Sequence, residues 1–284
     1  MKQRILFGLL MISALVALLY LDYWLGQRGR WAVVGVPLGV LVGLLILVGG
    51  LELVRLVRQA GMPVLGLPAA LMAVALATGP VWMQLMPTSD LDLWLLAMPA
   101  VVIVAFFGQM ARYRLDLPIA RVATTILIAA YLGACGACIL ALRVKAGMPA
   151  LIIFLAAVKF TDIGAYFTGS AWGRHKLIPW LSPGKSWEGL AGGLIIGVLV
   201  SVLIWWALGR PGSLIIDTWH VGVFALVIGL VGQFGDLCES LLKRAAAAKD
   251  AGHLVPQFGG VMDMIDSPLI AAPVALALWG LLGT

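Results

Sequence analysis

Long apolar stretches, separated by short polar connections, recur along the whole chain. Each stretch is roughly 20 residues long, which is enough for an α-helix to cross the hydrocarbon core of a bilayer. Alternating ten-residue segments, which are typical of membrane β-barrels, are absent from the sequence. We therefore predict an all-α integral membrane protein with about nine transmembrane helices, near residues 5–26, 31–53, 63–85, 91–111, 122–142, 149–168, 189–209, 219–242 and 267–283.

Composition and charge support this interpretation and predict an orientation. Of the 284 residues, 62% are hydrophobic and only 11% are charged. With the N-terminus in the cytoplasm, thirteen lysines and arginines fall on the cytoplasmic side and five on the other, as the positive-inside rule favours. We expect an inner-membrane protein whose net charge of +6 forms a basic cytoplasmic rim beside anionic headgroups, and no nucleic-acid partner.

The two halves of the sequence differ in where their charges lie. In residues 1–148 nearly all charges lie at span ends, so we expect N-terminal scaffold helices. Cys135 and Cys138 form a C-x-x-C motif there, but inside an apolar span we interpret them as packing residues. In residues 149–284 charges enter the spans and two long cytoplasmic connections follow. We expect this segment to be the catalytic half, with a metal and nucleotide site facing the cytoplasm.

Ionisable residues inside spans are candidates for a functional site. Asp162 lies in the sixth predicted span, and Lys159 precedes it by about one helical turn and could neutralise it. Taken alone, the two could equally form a buried ion pair between helices. The eighth span carries one polar stripe at helical spacing, made of Gln233, Asp236, Glu239 or Ser240, and Lys243.

Two further acids, Asp263 and Asp266, directly precede the last predicted span. Ser267 and Pro268 would suit the N-cap and first position of its helix. Gly259 and Gly260 permit positive φ angles and a close backbone approach to a ligand. Together with Asp162 and Asp236, the acids would converge at one depth, where their mutual repulsion favours a bound cation. Oxygen ligands without histidine suit Mg²⁺.

Basic residues accompany these acids on the two cytoplasmic connections. They are Arg174, Lys176 and Lys185 on one, and Lys243, Arg244 and Lys249 on the other. They could bind phosphate, or simply form a basic rim. The segment S-P-G-K-S at 182–186 resembles the end of a P-loop, but Pro179 replaces the required glycine and we expect no strand there. Carboxylates for a metal beside cations for phosphates favour phosphoryl or nucleotidyl transfer.

The segment SLLKRAAAAKDAGHLVPQFGGVMDMID, residues 240–266, resembles the signature of phosphatidate cytidylyltransferases, also called CDP-diacylglycerol synthases. Residues 232–240 (GQFGDLCES) and 161–189 resemble the family too. In two positions the chain departs from the usual pattern, with Phe258 in place of histidine and Met264 in place of arginine. The resemblance covers roughly the last 125 residues, and beyond them the chain matches only in having many spans.

The resemblance implies Mg²⁺-dependent transfer of CMP from CTP to phosphatidic acid, giving CDP-diacylglycerol and pyrophosphate in phospholipid biosynthesis. By match to the motif, Asp236 and Asp263 would hold the metal, with Asp162 a third candidate ligand. Lys243, Arg244 and Lys249 would contact phosphates, and Asp250 and Asp266 would orient them. The remaining expected substrate-binding residues are Ser182, Lys185 and Glu188 on the nucleotide side, together with Ser240, Gly259 and Gly260.

Alternatives stay open at this point. Intramembrane acids also line ion paths, so a cation transporter is one rival, although these acids gather at one face of the membrane. A related lipid nucleotidyl- or phosphotransferase with another acceptor is a second. A weakened relative is a third, because Phe258 and Met264 replace groups that could handle phosphate. A second cation and a homodimer are also left open.

Overall fold

A computed structural model describes residues 2–27, 33–85, 93–112, 115–209, 217–252 and 259–282. Over these ranges the chain forms helices α1 (Lys2–Gln27), α2 (Val36–Gln59), α3 (Gly66–Trp82), α4 (Leu93–Met110), α5 (Pro118–Ile128), α6 (Cys135–Trp172), α7 (Trp187–Ala207), α8 (Thr218–Ala245) and α9 (Met262–Leu282). A 3₁₀ turn, Met83–Leu85, follows α3, and a π-helical turn, Ala129–Ala134, joins α5 to α6. Strands β1 (Lys176–Ile178) and β2 (Ser182–Ser186) pair antiparallel.

The helices confirm the predicted all-α membrane class. In the described part of the chain, seven helical stretches are long and apolar enough to cross a membrane, and Leu96–Met110 is a shorter apolar helix. The longest stretch runs from Pro118 to Trp172 and contains a break at Gly147, whose φ of 86° is not helical. This break lies between the fifth and sixth predicted spans. The number nine and the cytoplasmic N-terminus stay predictions.

The chain divides into two compact units. The first unit contains Met1–Val144 and Asp250–Met262, and the second contains Lys145–Lys249 and Asp263–Thr284. The roles that the sequence suggests for residues 1–148 and 149–284, scaffold and catalysis, stay predictions.

Two ion pairs in the first unit neutralise buried arginines. Arg143 Nε lies 2.6 Å from Asp22 Oδ2, with both side chains almost fully buried. Arg121 lies 2.6 Å from Asp116 and also donates to Gln109. An ion pair of this kind holds helices together, because removing either partner would leave an uncompensated buried charge.

Helix α9 begins earlier than the sequence indicates. Ser267 and Pro268 are not its N-cap and first residue but lie inside the helix, which starts at Met262. The backbone N–H of Met262 donates to Glu52 Oε2 at 2.8 Å, and this carboxylate satisfies a donor that the helix itself leaves unpaired. The cap therefore comes from α2, which is distant in the sequence.

Small residues let α6, α7 and α8 approach closely in the second unit. A Cβ on Gly193 would lie 2.6 Å from the carbonyl oxygen of Thr161, and one on Gly229 would lie 2.6 Å from the Thr161 hydroxyl. A Cβ on Gly164 would lie 3.0 Å from the Cα of Gly193. Close backbone approach through small residues is the usual basis of helix packing in membranes.

The connection between α6 and α7 contains the β1–β2 hairpin, so the expectation of no strand at 182–186 is wrong. The Glu188 carboxylate accepts hydrogen bonds from the backbone N–H groups of Arg174 and His175, each at 3.2 Å, and lies 2.6 Å from His175 Nδ1. Ser186 caps α7 by accepting from Gly189 N at 3.1 Å. These contacts between its two ends define the hairpin, and hydrophobic periodicity does not report them.

Candidate functional site

The second unit contains an open cavity of about 710 Å³. Helices α6, α8 and α9, the hairpin and the start of α7 supply its walls. Six of the residues that the sequence analysis selected line it together, namely Asp162, Lys185, Asp236, Lys243, Asp263 and Asp266. Charged residues are rare in this chain, so their concentration around one cavity marks the candidate site.

The closest carboxylates come from α8 and α9. Asp236, Glu239 and Asp266 each offer an oxygen atom, and these three atoms lie within 4.8 Å of one another. Glu239 and Asp266 are buried, at 1% and 4% exposure. Glu239 Oε1 has no hydrogen-bond partner in the described part of the chain. Three clustered carboxylates, one of them with a buried oxygen that accepts no hydrogen bond in these ranges, fit a divalent cation that prefers oxygen ligands.

Gly235 explains how α8 and α9 bring these groups together. A Cβ at this position would lie 2.9 Å from the carbonyl oxygen of Asp266 and 3.1 Å from the Cα of Ser267. The absence of a side chain therefore lets the backbone of α9 lie directly against α8. Asp236, the next residue on α8, consequently lies close to Asp266.

Two lysines neutralise part of the acidic charge. Lys243 Nζ lies 2.8 Å from Glu239 Oε2 and 2.8 Å from Asp263 Oδ1, and so links α8 to α9. Lys185 Nζ lies 2.8 Å from Asp236 Oδ2 and donates to the carbonyl oxygen of Gln233 at 2.9 Å, which links the hairpin to α8. Both lysine side chains are largely buried, at 16% and 15% exposure, where a charge interacts more strongly than in water.

Asp162 is held from α8 as well as from its own helix. Gln233 Nε2 donates to Asp162 Oδ1 at 2.7 Å. Lys159 Nζ lies 3.9 Å from Asp162 Oδ2, but it donates to the Met264 carbonyl oxygen at 2.9 Å. The neutralising role predicted for Lys159 is therefore shared with a second contact, to the backbone of α9.

Other predicted site residues of the second unit lie outside the cavity lining. Ser182 is on β2, Glu188 binds the backbone of the hairpin, and Ser240 is half-buried on α8. Arg244 Nε donates to the Leu181 carbonyl oxygen at 3.3 Å, and Lys249 is exposed. Their expected roles toward CTP or lipid stay predictions.

The remaining predicted residues, Asp250, Gly259 and Gly260, belong to the first unit. Asp250 is exposed, and Gly259 has the expected positive φ, 93°. At Gly260 the group that approaches the backbone is part of the chain itself, because a Cβ there would lie 2.6 Å from Glu52 Oε2. Phe258 lies outside the described residues.

Sequence reasoning left Glu239 and Glu52 without a role. Glu239 follows Asp236 by three residues and precedes Lys243 by four, so helical spacing places all three on one face. That signal was present, but Ser240 fitted the stripe almost as well. Glu52 was recognisable as an acid inside an apolar span, although its contacts were not.

Comparison with known proteins identifies the family. The model of the cytidylyltransferase family matches residues 2–282. A phosphatidate cytidylyltransferase of Bacillus subtilis is 30% identical over 283 residues, covering 96% of this chain and 95% of its own. Those of Brucella suis and Haemophilus influenzae are each 42% identical, over 134 and 130 residues. These two alignments cover 47% and 45% of this chain, and this chain spans only about half of each relative, 47% and 44% of its length.

The full-length match and the Bacillus subtilis relative confirm the resemblance that residues 161–189 and 232–266 indicate, so the chain belongs to the cytidylyltransferase family.

Proposed function

We propose that this protein transfers CMP from CTP to phosphatidic acid, giving CDP-diacylglycerol and pyrophosphate for phospholipid biosynthesis. The observation that carries the proposal is the group of three carboxylates, Asp236, Glu239 and Asp266, beside two largely buried lysines in one cavity. The activity for which the Brucella suis and Bacillus subtilis relatives are named supplies the reaction. In this reaction a phosphate oxygen of the lipid forms a bond to the α-phosphorus of CTP. The bond between the α-phosphorus and the oxygen that bridges the α- and β-phosphates breaks, and pyrophosphate leaves.

The acidic group would hold Mg²⁺. Asp236, Glu239 and Asp266 fit it best, since their oxygens are close together and Glu239 Oε1 is buried without a partner in the described ranges. Asp162 and Asp263 stay predicted ligands, and a second cation remains open. When bound, the metal would supply positive charge to the phosphates of CTP.

The side chains of the protein would position the reactants. Lys185 and Lys243 supply positive charges at the cavity wall, where they would bind phosphate oxygens. The lipid phosphate is already an oxyanion near neutral pH, so the site needs no strong general base. Catalysis then depends on holding that oxyanion in line with the α-phosphorus and on stabilising the charge that develops.

The same cavity could serve a different acceptor lipid, which is the main alternative. Either acceptor would approach from the bilayer while CTP comes from the cytoplasm, so we propose that the cavity faces the cytoplasm. The excess of lysine and arginine on the predicted cytoplasmic side supports this orientation.

The experiment follows the incorporation of CMP from labelled CTP into lipid by the purified protein in nanodiscs, with and without Mg²⁺. We expect a product that requires phosphatidic acid and the metal, and a loss of about a hundredfold or more in Asp236→Asn. Asp217→Asn is the matched control on the same helix, because asparagine caps a helix as well as aspartate does.

Each outcome bears on a different part of the proposal. A product with another lipid but none with phosphatidic acid would show that the acceptor is wrong. Turnover in Asp236→Asn equal to that in Asp217→Asn would show that the cavity is not the site.

A further inference from the structure

Glu52 is a buried carboxylate near the C-terminal part of α2, and it belongs to the first unit. Its residue exposure is 6%, although α2 is otherwise strongly apolar. Its Oε2 atom accepts the N–H of Met262 at 2.8 Å. A buried carboxylate in a membrane helix is costly, so its contacts show what it is there to hold.

Two glycines, Gly252 and Gly260, also lie against this carboxylate. The three atoms nearest to a Cβ on Gly252 would all be side-chain atoms of Glu52. A Cβ on Gly260 would lie 2.6 Å from Glu52 Oε2. Both glycines therefore leave the space that the carboxylate occupies. Glu52 contacts the two glycines and the first residue of α9.

The position of Met262 gives this contact a consequence for chemistry. Asp263 is the next residue in the chain, and Asp266 follows it by about one helical turn. Both acids therefore lie in or next to the first turn of α9, where backbone N–H groups have no partner within the helix, so the loss of an acceptor for these groups would let this turn fray. The carboxylate supplies an acceptor at this end of the helix, through its contact with the Met262 N–H.

We propose that Glu52 is a positioning residue, which fixes where α9 begins and so sets the direction of Asp263 and Asp266. The kinetic part of this inference rests on the function proposed above, whereas the structural part does not. Asp22 is a matched buried carboxylate of the same unit, but it pairs with Arg143 on α6 and not with α9.

The first test compares Glu52→Ala, Glu52→Gln and Asp22→Asn. Glu52→Ala removes the acceptor, so we expect kcat for CMP transfer to fall about tenfold or more and the backbone amides of 262–266 to exchange faster with solvent deuterium. Glu52→Gln keeps an acceptor oxygen and the side-chain volume, so its kcat and its exchange at 262–266 should stay close to those of the wild type. Asp22→Asn should lower the melting temperature without changing exchange at 262–266.

The second test approaches the contact from the glycine side. Gly252→Ala should reproduce the faster exchange at 262–266, whereas Gly79→Ala should not, because a Cβ at Gly79 meets no atom within 4 Å. In the Glu52→Ala background, Gly252→Ala should increase the exchange at 262–266 little further, since the Glu52 side-chain atoms that would obstruct the new methyl group are absent. Such non-additivity is the mark of two groups in contact.

Wild-type exchange at 262–266 in both Glu52→Ala and Gly252→Ala would overturn the inference. So would a fall in kcat in Glu52→Ala no larger than that in Asp22→Asn. If Glu52→Ala does not fold, deuterium exchange at 262–266 in the other two variants tests the inference: it should be near wild type in Glu52→Gln and faster in Gly252→Ala. If the wild-type protein transfers no CMP, the proposed function fails, and the exchange data still test the role of Glu52.

Discussion

Buried charges follow different rules in the two units. In the first unit, Asp22 has its own counter-ion, Arg143, at 2.6 Å, and Glu52 accepts the backbone N–H of Met262. In the second unit acids lie beside other acids. Asp236, Glu239 and Asp266 place oxygens within 4.8 Å of one another. Only two lysines, Lys185 and Lys243, form ion pairs with Asp236, Glu239 and Asp263 in the described residues around the cavity.

The difference separates structural charge from functional charge. An ion pair such as Asp22–Arg143 is neutral as a unit, so it can hold helices together without a further ligand. Neighbouring carboxylates repel one another and gain stability when a cation joins them. The second arrangement is therefore the one that a metal- and phosphate-binding site requires.

The largest contrast should come from removing one acid of each kind. Glu239→Gln deletes a charge from the acidic group, so we expect the Mg²⁺ concentration for half-maximal CMP transfer to rise by about tenfold to a hundredfold. Asp22→Asn leaves Arg143 buried without its counter-charge, so we expect a loss of about 3 kcal/mol of stability with an unchanged Mg²⁺ requirement. Initial rates across a Mg²⁺ series and thermal melts measure both.

The reverse pattern of effects would contradict the distinction between structural and functional charges. If Glu239→Gln only lowered the melting temperature, Glu239 would be a structural charge like Asp22. If Asp22→Asn changed the Mg²⁺ requirement, pairing would not be sufficient to identify a structural charge.

A smaller effect should follow from separating α8 and α9. Gly235→Ala places a methyl group against the backbone of α9, so the Asp236 and Asp266 carboxylates must move apart. We expect kcat to fall by about tenfold or more, because displacements of about 1 Å are costly at a reacting centre. Gly280→Ala adds the same group on α9, where nothing lies within 4 Å, and should leave kcat unchanged. Equal rates for the two variants would contradict the role given to Gly235.

Much of the fold was predictable because it depends on local pattern. The length of each apolar stretch placed the eighth span at 219–242, and α8 runs from Thr218 to Ala245. The start of α9 was missed because its cap is Glu52, far away in the sequence. The hairpin was missed because Glu188 binds backbone groups that precede it by more than ten residues.

The candidate site shows the same division. Charges inside apolar spans, or directly before one, are conspicuous, so Asp162, Asp236, Asp263 and Asp266 were selected, and all four line one cavity. Which oxygens lie closest together depends on the contact of Gly235 with α9, which no periodicity reports. Glu239 therefore joins Asp236 and Asp266 in the structure, although the sequence favoured other partners.

Lys185 should give the smallest effect, and its two possible roles predict changes in different quantities, KM for CTP or the Mg²⁺ requirement. Its Nζ atom lies 2.8 Å from Asp236 Oδ2, inside the cavity lining. If it binds phosphate, Lys185→Met should raise KM for CTP by about tenfold, or ~1.4 kcal/mol, with a smaller change in kcat. If it only neutralises Asp236, KM for CTP should stay constant while less Mg²⁺ is required, because the carboxylate is no longer paired. Lys145→Met removes an exposed lysine of the same unit and should change neither quantity. We expect the rise in KM, since the phosphates of CTP would enter the cavity that Lys185 lines.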